Sequence, residues 1–160
     1  MSKPVRIAWD ERERASPNAR KHLPRLVSDY FALGREILAG QNDPAHLHAL
    51  RLATKRLRYT LELFRPCYGP GLETRLAALQ KNQQMLGEIN DTVAAERAVK
   101  QIWDGHAPQQ TRVEQFLRKQ GQGKAHEFQK HWAEQFDAPG QERWWTSYLA
   151  RRSHRPERKA

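Results

Sequence analysis

The sequence predicts an all-α protein, an antiparallel bundle of four to five helices. Apolar residues recur three and four positions apart over most of the chain, which is the spacing of one helix face. Proline and glycine separate these stretches, and no alternating apolar and polar pattern runs for the length of a strand. A chain of 160 residues is long enough for one domain that buries its own core.

The first two predicted helices have similar start signals. Ser16-Pro17 is typical of an N-cap followed by a first-turn proline, and Gly40 ends this helix. Asp43-Pro44 repeats the start signal for a second helix. The positions expected to face the core are Leu23, Leu26, Val27, Tyr30, Leu33 and Ile37 in the first helix, and Leu50, Ala53, Leu57, Leu61 and Phe64 in the second.

Two further helices are predicted before residue 105. Helix breakers between residues 66 and 71 precede a third helix, and Gly87 is expected at its C′ position, just past its end. Asn90-Asp91 is then expected to cap a shorter fourth helix that ends at Gly105. The inward positions are Leu72, Leu76, Leu79, Gln83 and Leu86 in the third helix, and Val93, Val99, Ile102 and Trp103 in the fourth.

A fifth helical segment is predicted over residues 109–137. Gly121 and Gly123 weaken its middle by about 1 kcal/mol each relative to alanine, which indicates a break or a close helix crossing. Its inward residues are expected to be Val113, Phe116, Leu117, Phe128, Trp132 and Phe136.

The predicted organisation has three parts. Residues 1–15 form an N-terminal extension, 16–137 the helical bundle, and 138–160 an aromatic segment followed by a basic tail. The aromatic segment is expected to pack as a staple on the bundle, with contact to a membrane surface as the alternative. Its packing residues are Trp144, Trp145, Tyr148 and Leu149.

The charge of the chain indicates a polyanionic partner. A net charge of +10 attracts nucleic acid, an anionic membrane surface or a chain of phosphates. Cys67 is the only cysteine, so no intrachain disulfide can form, and the reducing cytoplasm is the expected setting. No apolar run reaches the roughly 18–20 residues that cross a bilayer, and the start of the chain lacks the apolar core of a signal peptide. We therefore expect a cytoplasmic protein without a transmembrane segment.

One face of the second predicted helix carries a set of side chains that we call the cationic stripe: His48, Arg51, Lys55, Arg58 and Tyr59. At about 100° per residue, these five fall within roughly a quarter of the helix circumference, away from the apolar face. The plain interpretation is a solvated surface. However, five positive charges between residues 51 and 65 face a single acid, Glu62, and like charges at helical spacing repel one another. A bound anion explains such a face better, and arginine suits phosphate because its guanidinium donates two parallel hydrogen bonds.

The motifs disfavour catalysis and metal binding. The sequence has no HExxH motif, no cluster of carboxylates for magnesium and no glycine-rich phosphate loop. His46 and His48 lie about 200° apart on a helix, so they do not face one metal. Cys67 has no evident activating base. We therefore expect neither an enzyme nor a bound metal or cofactor.

Nucleic-acid binding is the open alternative, because a basic helix can enter a major groove. The stripe lacks the Asn and Gln side chains that read adenine edges, and Tyr59 is its one candidate for base stacking. The pattern therefore favours recognition of phosphate. A nucleic-acid-binding accessory protein that uses the same basic surface is the second interpretation.

The residues around the stripe resemble a known family, the CHAD domain, or conserved-histidine α-helical domain. The resemblance is close over residues 45–100 and looser in the flanking helices. The similar runs are His48-x-x-Arg51-x-x-x-Lys55-Arg56-x-Arg58-Tyr59, Glu62-Leu63-Phe64, Pro66-x-Tyr68-Gly69, Gln83-x-x-Leu86-Gly87 and the segment that contains Asp91.

The resemblance implies a bundle of long antiparallel helices that binds inorganic polyphosphate on a basic surface. The polyphosphate-binding residues that it implies are His48, Arg51, Lys55, Arg58, Tyr59 and, as a further match to the motif, Arg56. Because Arg56 points away from the stripe, we expect it to form a structural salt bridge, with Asp91 as the candidate partner. Gln83 is expected to help orient the site. Asn82 stands where the family usually has an apolar residue.

The family usually carries two copies of the helical repeat, related by a pseudo-two-fold axis, with their motifs facing a shared channel. This sequence contains one copy, equivalent to the second half of that domain, and lacks the triphosphatase-type domain of some relatives. We therefore expect a non-catalytic homodimer that binds polyphosphate between two stripes, associated with polyphosphate granules in the cytoplasm. The residues expected to form the dimer contact are Val99, Ile102, Trp103, Trp144 and Trp145.

Overall fold

The computed structural model describes residues 7–40, 43–103 and 108–151, and this part of the chain forms five α-helices and no strand. The helices are α1 (Ala15–Ala39), α2 (Pro44–Leu63), α3 (Gly71–Ile102), α4 (Pro108–His131) and α5 (Gln141–Arg151). A 3₁₀ turn (Arg65–Cys67) follows α2, and a π-helical turn (Trp132–Phe136) follows α4. The prediction of an all-α bundle is confirmed.

The starts of α1 and α2 differ in how well the sequence predicted them. Asp43 is the N-cap of α2, and its carboxylate accepts a hydrogen bond from a first-turn amide. Ser16 is not the N-cap of α1, because the helix begins at Ala15 and Arg14 is its N-cap. Asn18 instead holds the preceding segment: its side chain donates to the carbonyl of Asp10 (2.8 Å) and accepts from the amide of Asp10 (3.0 Å).

A single helix, α3, replaces the two helices predicted between residues 71 and 105. It continues through Gly87 and through Asn90-Asp91 without a break, so the predicted C′ glycine and the predicted second N-cap are wrong. α3 packs against α2 and α4, and this tertiary cover outweighs the roughly 1 kcal/mol that one interior glycine costs. Gly105, the predicted end of the fourth helix, lies outside the described residues.

α4 lies antiparallel to α3 and crosses it closely. A Cβ atom on Gly121 would lie 2.8 Å from the hydroxyl oxygen of Thr92, so the crossing requires a glycine there. The same two helices are joined by an ion pair between Lys124 and Glu88 (3.0 Å). Of the two predicted consequences of Gly121, the close crossing is the one that occurs.

The first half of α4 is less buried than its sequence pattern predicts. Phe116 is 59% exposed and Val113 is also exposed, so their predicted inward positions are wrong. At the adjoining end of α3, Ile102 is 78% exposed. Three residues of the predicted fifth segment are buried as predicted: Phe128 on α4, and Trp132 and Phe136 in the π-helical turn. We call residues 99–103 and 108–117 the arm; one side of it is apolar and has no cover among the described residues.

The aromatic segment forms α5, which packs on α1. Trp145 and Leu149 are buried. The guanidinium of Arg75, on α3, lies between two rings of α5, 3.5 Å from the ring centre of Trp144 and 3.8 Å from that of Tyr148. Burial of this guanidinium lowers the pKa of Arg75 to about 10. α5 is thus held against both α1 and the start of α3.

A chain of hydrogen bonds crosses the core and joins four helices. His131 on α4 bonds through Nε2 to the side-chain oxygen of Asn82 on α3 (3.0 Å), and the Asn82 amide donates to the Tyr30 hydroxyl on α1 (3.3 Å). The Tyr30 hydroxyl bonds to Thr54 on α2 (2.8 Å), whose hydroxyl donates to the carbonyl of Leu50 (2.8 Å). We call the side chains of His131, Asn82, Tyr30 and Thr54 the core relay.

One assignment of donor and acceptor roles is consistent with all four hydrogen bonds of the core relay. The oxygen of Asn82 only accepts, so Nε2 of His131 carries a proton and donates. Because Thr54 donates to the backbone, the Tyr30 hydroxyl donates to Thr54. Burial raises the pKa of Tyr30 to about 12, which keeps its hydroxyl protonated. Asn82 is therefore the central member of a buried polar chain.

Candidate functional site

The cationic stripe of α2 lies along α3. The facing pairs are Arg58 with Gln83, Arg51 with Gly87, and His48 with Asn90. The residue numbers fall along α2 as they rise along α3, so the two helices are antiparallel. On α3 the three partners are spaced i, i+4 and i+7, which places them on one helix face. The stripe therefore lies along the contact between α2 and α3, and its His48 end lines a groove between the two helices.

Arg58 is the most firmly held member of the stripe. Its Nε donates to the side-chain oxygen of Gln83 (3.0 Å), and its Nη1 donates to the carboxylate of Glu62 (2.8 Å). Its side chain is only 18% exposed. The contact with Gln83 agrees with the orienting role that was expected of that residue.

Arg51 lies across the backbone of α3 at a point where α3 has no side chain. A Cβ atom on Gly87 would lie 3.7 Å from Nε of Arg51, so the arginine occupies the space above the glycine. This Nε is buried and has no hydrogen-bond partner among the described residues. The glycine that was expected to end a helix thus makes room for an arginine of the stripe.

Tyr59 forms an exposed aromatic surface between two cations. Its side chain is 45% exposed. The guanidinium carbon of Arg58 lies 4.7 Å from the Tyr59 ring centre, and Nζ of Lys55 lies 5.8 Å from it. These cation–π contacts hold the two positive charges beside the Tyr59 ring.

His48 is oriented by a residue that the sequence analysis placed at a helix start. Its Nδ1 lies 3.0 Å from the side-chain oxygen of Asn90. The amide oxygen accepts, so Nδ1 carries a proton and Nε2 is the remaining ring nitrogen. Asn90 is a site residue that sequence reasoning missed, although its spacing from Gln83 and Gly87 is a signal that could have found it.

Arg56 does not form the expected salt bridge. Its side chain is exposed, and no ion pair with Asp91 is present in the described part of the chain. The reason is the register of α2 on α3: Asp91 follows Asn90 and therefore lies level with His48. Arg56 is eight residues from His48, about 12 Å along the helix. The structure thus leaves Arg56 beside the stripe, without an acidic partner among the described residues.

The described residues contain no group of three or more His, Cys, Asp or Glu side chains placed to hold a metal ion. Cys67 is buried. Among the described helices, none combines the length and the apolar character that a bilayer crossing requires.

Comparison with known proteins identifies the family. The family model of the CHAD domain matches residues 4–100, which is more than half of the chain. The match includes α1, α2, the whole cationic stripe and its three partners on α3. No curated protein matches the chain, and no solved structure matches it. The chain belongs to the CHAD domain family.

Proposed function

We propose that this protein binds inorganic polyphosphate without turning it over, in the groove between α2 and α3. The CHAD family is associated in general with polyphosphate binding, and its domain is generally a binding domain rather than a catalytic one. The proposed ligand contacts are His48, Arg51, Lys55, Arg58 and Tyr59, with Arg56 beside them.

The observation that carries this proposal is the set of cations without an internal partner. Arg51, Lys55 and Arg56 form no ion pair within the described residues, while the one acid on this face, Glu62, is paired with Arg58. Holding these charges side by side costs repulsion between them. A bound polyanion removes that repulsion and supplies acceptors for these cationic side chains.

A titration against two polyanions tests the proposal. Long-chain polyphosphate and DNA of matched phosphate content are titrated into the protein at two salt concentrations. We expect polyphosphate to bind more tightly than DNA at both, with an affinity that falls as salt rises, because charge pairing releases counterions. Absence of polyphosphate binding would refute the proposal. Preferential binding of DNA would favour the alternative function, with Tyr59 as the surface for base stacking.

We propose further that two copies pair through the arm. The family usually has two repeats and this sequence contains one, so a second copy provides the face that covers the exposed Ile102, Trp103 and Phe116. Trp145 does not take part as expected, because it is buried within the bundle. Pairing places two stripes in one assembly, and polyphosphate stabilises that assembly if it binds both.

Light scattering with and without polyphosphate tests the pairing. We expect a dimer that polyphosphate tightens, and we expect Phe116→Glu to dissociate it. Leu63→Glu is the matched control, because Leu63 is 79% exposed and lies outside the arm. A monomer under both conditions that still binds polyphosphate tightly would contradict the pairing.

The proposed function includes a location and a division of the chain. The protein acts in the cytoplasm at polyphosphate granules, and the bundle over residues 16–137 carries the binding surface, flanked by the extension over 1–15 and the segment over 138–160. Co-localisation of a fluorescent fusion with stained granules tests the location.

A further inference from the structure

We propose that the polyphosphate track continues past the cationic stripe to Arg97 on α3, through the groove where α2 begins. This inference rests on the proposed function and concerns the length of chain that the site accepts. It makes Arg97 a ligand-binding residue, and it predicts a preference for chains long enough to reach both ends of the groove.

The groove at this end has a volume of about 280 Å³. His48 and Asn90 form its boundary with the cationic stripe, and Arg97 lies at its other end. Ala94 lies between Asn90 and Arg97 and leaves space above the helix. The remaining lining residues are Pro44, Ala45, Leu47, Leu86, Ile89 and Val93.

Arg97 extends the line of charge beyond α2. Asn90 lies level with His48, and Arg97 is seven residues further along α3, about 10 Å. The stripe itself covers the ten residues from His48 to Arg58, about 15 Å. A linear anion that lies along both segments therefore contacts cations over about 25 Å.

The acid that directly precedes Arg97 in the sequence is already engaged. Glu96 pairs with Lys100 (3.1 Å) and with Arg118 (2.8 Å). Asp43, at the start of α2, accepts from a first-turn amide and pairs with a neighbouring histidine. Arg97 is exposed and forms no ion pair within the described residues. Its charge is therefore free to act on a ligand, as are the charges of Arg51 and Lys55.

Polyphosphate chains of different length distinguish the two segments of the track, the cationic stripe and the groove that ends at Arg97. Tripolyphosphate is short enough to be held by the stripe alone, whereas a long chain occupies the stripe and reaches Arg97. The contribution of Arg97 should therefore appear only with long chains. A charge contact of this kind needs no reading of bases, and the residues that line the groove include no Phe, Tyr or Trp.

Titration of Arg97→Gln with tripolyphosphate and with long-chain polyphosphate tests the inference. We expect the variant to bind the long chain about three- to fivefold more weakly, as for loss of one exposed charge pair, and to bind tripolyphosphate as the wild type does. Lys100→Gln is the matched control. Lys100 lies one turn from Arg97 and carries the same charge, but it is already paired with Glu96. It should change neither affinity.

A second variant tests the groove without removing the arginine. Ala94→Glu places a negative charge between Asn90 and Arg97, and we expect it to weaken long-chain binding more than Arg97→Gln does. Ala77→Glu is the control for it: Ala77 is also exposed on α3, about 25 Å away along the helix. Long-chain affinities of Arg97→Gln and Ala94→Glu equal to that of the wild type would overturn the inference. The proposed function would stand in that case, because it fails only if the wild type binds no polyphosphate.

Discussion

The cationic stripe and the core relay involve neighbouring faces of α2 but are built in opposite ways. In the core relay every polar side chain has a partner, and Thr54 closes the chain on the backbone of α2 itself. In the stripe, on the neighbouring face of α2, Arg51 and Lys55 have no acidic partner among the described residues.

This difference separates residues that hold the fold from residues that we propose bind a ligand. A buried polar group costs free energy unless it is hydrogen-bonded, so the relay had to be completed within the chain. Arg51 departs from this rule within the described residues, because its Nε is buried without a hydrogen-bond partner. Polar groups that the protein leaves unmatched at a groove therefore indicate where an external anion binds.

The largest expected effect on stability follows from breaking the relay at its centre. Asn82→Leu leaves the Nε2 donor of His131 without an acceptor, and we expect a loss of about 1–3 kcal/mol in the free energy of unfolding. Denaturant titration measures it. Polyphosphate binding by the folded variant should be unchanged, because Asn82 is fully buried and bonds to Tyr30 and His131 rather than to the stripe.

The double variant Asn82→Leu with His131→Leu is the matched control for this loss. Removal of both partners leaves no orphaned donor, so much of the lost stability should return. If Asn82→Leu alone is as stable as the wild type, the relay does not hold the fold as described.

A smaller effect is expected when the pH falls through the histidine range. Burial, with a further contribution from the charge of Lys81, lowers the pKa of His131 below its ordinary value. The unfolded chain therefore binds more protons at this residue than the folded chain does below about pH 6.5, and stability falls as the pH falls. Because His131 is only partly buried, we expect this change in stability to be smaller than the loss caused by Asn82→Leu.

His131→Gln tests this assignment, because glutamine keeps a donor for Asn82 but does not titrate. The difference in unfolding free energy between pH 7.5 and pH 5.5 should be smaller in the variant than in the wild type. An identical pH dependence in both proteins would assign it to another group.

The smallest effect on stability is expected at Gly87, where two substitutions separate the effect on the stability of α3 from the effect on the position of Arg51. Gly87→Ala should stabilise α3 by up to about 1 kcal/mol, because its Cβ would lie at an ordinary contact distance of 3.7 Å from Arg51. Gly87→Leu should displace the Arg51 side chain and weaken polyphosphate binding, with the helix retained. Circular dichroism and titration of both variants check this. Equal affinities of the alanine and leucine variants would contradict the proposed position of Arg51 in the site.

The sequence predicted what depends on spacing within one helix. The bounds of α2, its apolar face and the alignment of the stripe all follow from the 3.6-residue period, together with the cap at Asp43. The stripe could be recognised as unusual because its charges outnumber the nearby acids, which is a property of the local sequence.

The sequence did not predict what depends on neighbouring helices. α3 continues through Gly87 because α2 and α4 pack against it, and the sequence of α3 alone does not show which helices pack there. Phe116 has the spacing of a core residue, yet no helix of the described chain covers it. Asn90 resembled a cap and is instead a partner of His48, since its role depends on the register between two helices.

One comparison of charge-matched variants tests the central claim most directly. Arg51→Ala with Lys55→Ala removes two unpaired charges from the stripe, whereas Lys21→Ala with Arg25→Ala removes two exposed charges from α1. Long-chain polyphosphate is titrated into both variants over a range of salt concentrations. We expect the stripe variant to lose at least about tenfold in affinity and to show a shallower salt dependence, because charge-assisted contacts of about 1.5–3 kcal/mol each are lost. The α1 variant should stay within about threefold of the wild type. Equal losses in the two variants would show that net charge alone attracts the polyanion, and the groove between α2 and α3 would not be its site.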